Sequence, residues 1–194
     1  MSPIFTSNNE SGLNGYWYDE FVQQFDSICK DHLTTVRAKK FAFIVYDFHS
    51  PMHEVLQNQG VFIELDRLSG KDITVFYLDG QLNRDRNNQT LLFRNLNKIL
   101  HEFTGDQVRS IPFIVFFDFK NDDVTNLKCY SIRNNKKFIL NDLTKALIEE
   151  LGFMKDSKNK NDTRMIGALI KETPKIIYTE FIKLVLTGIY APSN

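Results

Sequence analysis

Three short, nearly uninterrupted apolar runs constrain this chain most: residues 41–48 (Phe-Ala-Phe-Ile-Val-Tyr-Asp-Phe), residues 72–78 (Asp-Ile-Thr-Val-Phe-Tyr-Leu) and residues 113–119 (Phe-Ile-Val-Phe-Phe-Asp-Phe). Each is too short for a buried helix and is rich in aromatic and β-branched residues, so each reads as a strand. A strand apolar at consecutive positions must be covered on both faces, because neighbouring side chains point to opposite sides. Such a sheet needs helices above and below it.

The segments between the runs supply them. Apolar residues recur at spacings of three and four through Trp17, Phe21, Phe25, Ile28, Leu33 and Val36, which predicts a helix over about residues 16–36. His49-Ser50-Pro51 ends the first strand. Ser50 suits a helix cap and Pro51 the first helical position, and the helix runs to Leu68 with Val61, Phe62, Leu65 and Leu68 inward. Gly60 predicts a bend or break within it. Leu92, Leu96, Ile99 and Phe103 mark another helix, ended at Gly105. Asn121-Asp122-Asp123 signals a turn, residues 127–133 alternate as an edge strand does, and a helix follows over about residues 141–151 with Asn141 as its cap.

The ends differ from this middle. Residues 1–14 are polar and read as a flexible arm. Residues 15–154 form the α/β domain, and residues 155–194 a charged linker and a C-terminal helical extension. In that extension Thr173 caps a helix with Pro174 at its first position and Ile177, Phe181, Leu184 and Val185 on one side. Ile176, Ile182, Leu186 and Ile189 make it apolar around much of its girth, so it needs two surfaces to bury against. One is the α/β body. A second copy of the chain and a deep groove of the same domain are equal alternatives for the other.

Composition excludes several function classes. Lys plus Arg and Asp plus Glu both number 24, so no overall field favours nucleic acid or an anionic membrane. The 17 Phe residues stand mostly in apolar runs, as core rather than as base-stacking platforms. Cys29 and Cys129 form no Cys-x-x-Cys pair, so neither a secreted disulfide framework nor a cysteine zinc site is expected. The first residues lack the basic-then-apolar pattern of a signal peptide, and no apolar stretch is long enough to span a bilayer; a cytoplasmic protein is expected. No phosphate-binding glycine motif and no nucleophile elbow occur.

The order helix, strand, helix, strand, helix, strand, strand, helix resembles the thioredoxin fold over residues 16–151. Ser110-Ile111-Pro112 stands before a buried strand, where thioredoxins carry an Ile–cis-Pro. Tyr46-Asp47-Phe48-His49-Ser50-Pro51-Met52 resembles the stretch leading into their Cys-Gly-Pro-Cys motif, with His49 and Met52 where the cysteines would be. The resemblance implies a three-layer mixed sheet flanked by helices and a peptide groove bordered by His49, Ser50, Pro51, Met52, Ile111 and Pro112. It also implies that the redox pair is missing, since neither His nor Met forms a disulfide.

These readings converge on a non-catalytic protein-binding or adaptor module, with no cofactor, no metal, a protein partner and a possible homodimer through Ile177, Phe181, Leu184 and Val185. The alternative is an enzyme on the same scaffold, such as a single-thiol oxidoreductase using Cys129. His49 and His53, four apart, have metal-ligand spacing, but the simpler reading is a loop and helix pair. Cys29 reads as a small buried hydrophobe.

Overall fold

The computed structural model describes residues 1–5, 15–46, 50–79 and 112–159. Among them the chain forms β1 (Ser2–Phe5), β2 (Tyr16–Trp17), α1 (Tyr18–Thr34), β3 (Lys40–Val45), α2 (Pro51–Gln57), α3 (Gln59–Ser69), β4 (Ile73–Asp79), β5 (Phe113–Lys120), β6 (Asp123–Ser131) and α4 (Lys136–Asn159). The strands make one six-stranded mixed sheet in the order β2-β1-β4-β3-β5-β6. β2, β1, β4 and β3 run parallel, and β5 and β6 are added antiparallel. This is a three-layer α/β architecture.

The three apolar runs are the three central strands, as their composition requires. On the face shared with α1, Phe41 stacks on Phe117 with ring centroids 5.6 Å apart, and Phe21 meets Phe76 edge-on at 4.9 Å. Phe25 reaches Phe117 and Phe119 from the helix. Each of these fully buried rings contributes roughly 1.5–3 kcal/mol of transfer free energy. The opposite face holds Ala42, Ile44, Val75 and Phe116, all buried, and α2, α3 and α4 pack together over it.

Several local readings need correction. The expected loose arm contains β1, which pairs in parallel with β4 from Ser2↔Phe76 to Phe5↔Asp79, and Ile4 is fully buried. Four residues are too few to show a period, so composition alone misled. Trp17 lies in β2 and is 38% exposed, and Val36 lies beyond α1 and is 62% exposed, so neither belongs to the inner stripe of that helix. The long second helix is two helices. The break falls at Asn58, whose side chain accepts hydrogen bonds from the backbone N–H groups of Gly60 and Val61 and so starts α3 afresh. Ser50 stands at the N-cap of α2, but its side chain makes no capping bond. The last helix starts at Lys136 rather than 141. Asn135 caps it, its side-chain oxygen accepting from the Lys137 N–H at 3.0 Å, so Asn141 lies inside.

The β5–β6 hairpin turns where the sequence signals it, but its second strand runs Asp123–Ser131, starting and ending earlier than the expected 127–133. Asn121 and Asp122 both have positive φ, 53° and 62°, as a two-residue type I′ turn demands. α4 also continues through residues 155–159, in place of the expected charged linker. The helix expected over residues 92–103 and residues 160–194 of the C-terminal part lie outside the described residues.

Candidate functional site

The sequence directs attention to the end of β3. Val45 of β3 pairs with Phe113 of β5, so the residue before β5, Pro112, comes level with Tyr46 at that end. Pro112 lacks an N–H, which a strand start tolerates; its carbonyl accepts from the Ile132 N–H at 3.0 Å. α2 begins at the same end of β3, with Pro51 at its first turn. Topology therefore brings the Ser50-Pro51-Met52 segment and Pro112 to one end of the sheet. His49 and Ile111, the other two members of the expected groove, lie outside the described residues, as do Ile177, Phe181, Leu184 and Val185.

Burial decides what these side chains can do. Met52 is fully buried and joins the core with Val55 and Leu56. It fills volume and does not offer its thioether to solvent. Ser50 is 7% exposed, and its hydroxyl has no hydrogen-bond partner among the described residues. Pro51 and His53 are half-buried, and the His53 ring stacks on Tyr46 at 6.2 Å. Among the described residues no three His, Cys, Asp or Glu side chains come together as a metal site.

Neither cysteine is set up as a nucleophile. Cys29 is fully buried on α1, and burial together with nearby Asp26 holds its thiol well above the ordinary value. Burial pushes the Cys129 thiol up to about 12. A reactive cysteine needs the reverse, a cationic surrounding that favours thiolate. Lys128 does not provide it: it pairs with Phe116 on the other face of the sheet, while Cys129 pairs with Val115.

Two polar clusters escaped the sequence reading. The first is on the α4 face. Glu150, 1% exposed, forms an ion pair with Lys40 of β3 and a second with Lys128 of β6 at 3.0 Å, and accepts from the Tyr130 hydroxyl at 3.4 Å. Lys40 also meets Asp118 at 3.6 Å. Burial and Glu150 raise the Tyr130 pKa, so this hydroxyl stays protonated and donates. The cluster ties three strands to α4 through a buried carboxylate whose charge is matched. That is a structural role.

The second is at the other end of the parallel strands. His32, on the last turn of α1, is 5% exposed. Its Nε2 lies 2.6 Å from the Tyr16 hydroxyl and its Nδ1 2.9 Å from the Thr74 hydroxyl. Burial lowers the His32 pKa, and Arg37 lowers it further against an opposing pull from Asp31. The imidazole is therefore neutral near pH 7, with one nitrogen donating and one accepting. No sequence period marks this trio, because its members come from β2, α1 and β4.

No helix among the described residues is long and apolar enough to cross a membrane. The chain matches no protein-family model and no curated protein.

Proposed function

We propose that the chain is a thioredoxin-like, redox-inactive protein-binding or adaptor module of the cytoplasm. What supports the fold reading is strand order and direction: β1, β4 and β3 parallel, β5 antiparallel beside β3, and β6 closing the edge as a hairpin. The observation that carries the functional reading is local. The Val45↔Phe113 pairing brings Pro112 to the end of β3 where α2 starts, and the residue after Pro51 is a buried methionine rather than a cysteine. A scaffold that keeps this arrangement without a thiol pair has binding, not thiol exchange, as its remaining use. The raised Cys129 pKa weighs against a single-thiol oxidoreductase on the same scaffold.

The partner is a protein, engaged at the groove around His49, Pro51 and Ile111 or through the C-terminal segment bearing Ile177, Phe181, Leu184 and Val185. The test compares partner capture by the full chain with capture by His49→Asp and Pro51→Asp variants whose circular dichroism is unchanged. Loss in both supports the groove. Unchanged capture moves the contact to the C-terminal segment, and sedimentation of Phe181→Asp then decides whether that segment pairs two copies. Disulfide reduction lost on Cys129→Ser overturns the non-catalytic reading.

A further inference from the structure

The Tyr16–His32–Thr74 trio does not end in packed core. It borders a cavity of ≈ 490 Å³ at the N-terminal ends of β1 and β4, walled also by Arg37, Asp66 and Gly15. That volume lies within the range of small-molecule sites. Gly15 lets the chain before β2 approach β1 closely: a Cβ there would come within 2.5 Å of the Phe5 ring and of the Pro3 carbonyl.

Counting hydrogens shows what the trio lacks. Two hydroxyls and a neutral imidazole carry three polar hydrogens, and the two bonds that join them consume two. If Thr74 donates to Nδ1 and Nε2 donates to Tyr16, the Tyr16 hydrogen is left over. If the chain runs the other way, the Thr74 hydrogen is left over. Both residues line the cavity, so in either direction the surplus hydrogen belongs to a residue of its wall. A buried donor without an acceptor costs about 1–3 kcal/mol.

Arg37 supplies charge beside that donor. It lines the same cavity, and its one ion pair among the described residues, with Asp31, is loose at 3.9 Å. The acidic group on the wall, Asp66, is taken up by the amino group of Met1. Val36, just before Arg37, holds φ at 57°, a conformation costly for a β-branched residue. There the chain leaves α1, and the Arg37 and Ala38 N–H groups both donate to the His32 carbonyl. A strained turn thus fixes Arg37 next to the histidine that anchors the trio.

We propose that this cavity binds a small molecule carrying an oxyanion, a carboxylate or a phosphate, which pairs with Arg37 and accepts the surplus hydrogen of the Tyr16–His32–Thr74 chain. The site lies at the opposite end of the parallel strands from the groove and stands or falls independently of it. Guanidinium recognition of a carboxylate or phosphate is two-pronged and charge-assisted, which suits an exposed arginine at a cavity wall.

The test titrates the isotopically labelled full chain with inorganic phosphate in one arm and succinate in the other, following the Tyr16, His32 and Thr74 resonances. Saturable shifts of these signals are expected in at least one arm, and which arm responds identifies the anion. Arg37→Ala is expected to weaken binding about 10-fold or more, equivalent to about 1.4 kcal/mol. Tyr16→Phe, which keeps the ring, is expected to weaken it less. Lys39→Ala, an exposed cation paired with Asp72, should leave it unchanged. No saturable shift in either arm, or equal binding by a folded Arg37→Ala protein, overturns the assignment.

Discussion

Lys40 at the start of β3 and Glu150 on α4 form an ion pair in which the carboxylate is almost wholly removed from solvent, 1% exposed. Burying such a charge is tolerable only while its partners remain. Lys40→Met leaves Glu150 with Lys128 and the Tyr130 hydroxyl alone. The expected cost is about 3 kcal/mol, read as a fall in the urea midpoint. Converting Lys40 and Glu150 together to apolar residues of similar size should recover most of that loss, and a double variant no better than the single one would contradict the account.

Stability should depend on pH through His32. Its folded pKa is depressed below the ordinary 6.5 by burial and by Arg37. The sign follows: the unfolded chain binds the proton more readily, so the contribution of neutral His32 is complete above 6.5 and is lost as pH falls through the depressed folded value. Burial, with Asp31 and Glu20 and against Arg37, raises the Tyr16 pKa, so that group remains a phenol throughout this window. Urea midpoints measured from neutral to mildly acidic pH should fall for the wild type, and fall less steeply for His32→Gln.

Met52 has the position of a motif residue and the burial of a core residue. Met52→Ala should destabilise the fold by about 2–5 kcal/mol, the range for emptying a buried methionine site. A thermal or denaturant midpoint that does not move would return Met52 to the surface of a groove.

Cys129 should behave as a masked thiol. With its pKa at about 12, the thiolate fraction near neutral pH is very small. Alkylation of the native protein by iodoacetamide is expected to be far slower than alkylation in denaturant, for Cys129 as for Cys29. Fast labelling of Cys129 in the folded chain would revive thiol chemistry.

Val36→Gly should stabilise. The left-handed conformation costs a residue with a Cβ roughly 1–2 kcal/mol, and glycine adopts it freely at some cost in unfolded-chain entropy. The net gain is expected near 1 kcal/mol, visible as a raised melting temperature. A loss would mean that the Val36 side chain, 62% exposed, makes contacts that outweigh the strain.

What the residues announced in advance follows from how local each signal was. The runs at 41–48, 72–78 and 113–119 declare themselves because burial on both faces of residues 41–45, 73–77 and 113–117 admits few polar residues. The Asn121-Asp122 turn does so because few residues accept positive φ. β1 stayed hidden because its stabilisation comes from β4, far along the chain, and not from its own pattern. The split at Asn58 was half visible: Gly60 signalled a break, while the capping side chain two residues earlier set its position. The Ser50-Pro51-Met52 segment was legible as a helix start, but the burial of Met52 depends on α4 and could not be read locally. The His32 trio and the Glu150 cluster were invisible for the same reason, since each assembles from at least three elements.

The pairing of Ser2 with Phe76 and of Phe41 with Phe117 has a consequence for synthesis. β1 can meet β2 early but is covered on its other side only once β4 has emerged, and the central strand β3, which meets β4 first, lacks its second neighbour until β5 follows. An apolar Phe41–Val45 segment therefore stays half-covered through much of translation, open to holdase chaperones or to a neighbouring nascent chain. Slowing elongation after residue 79 should lengthen that exposure, and speeding it up to β5 should raise the soluble yield.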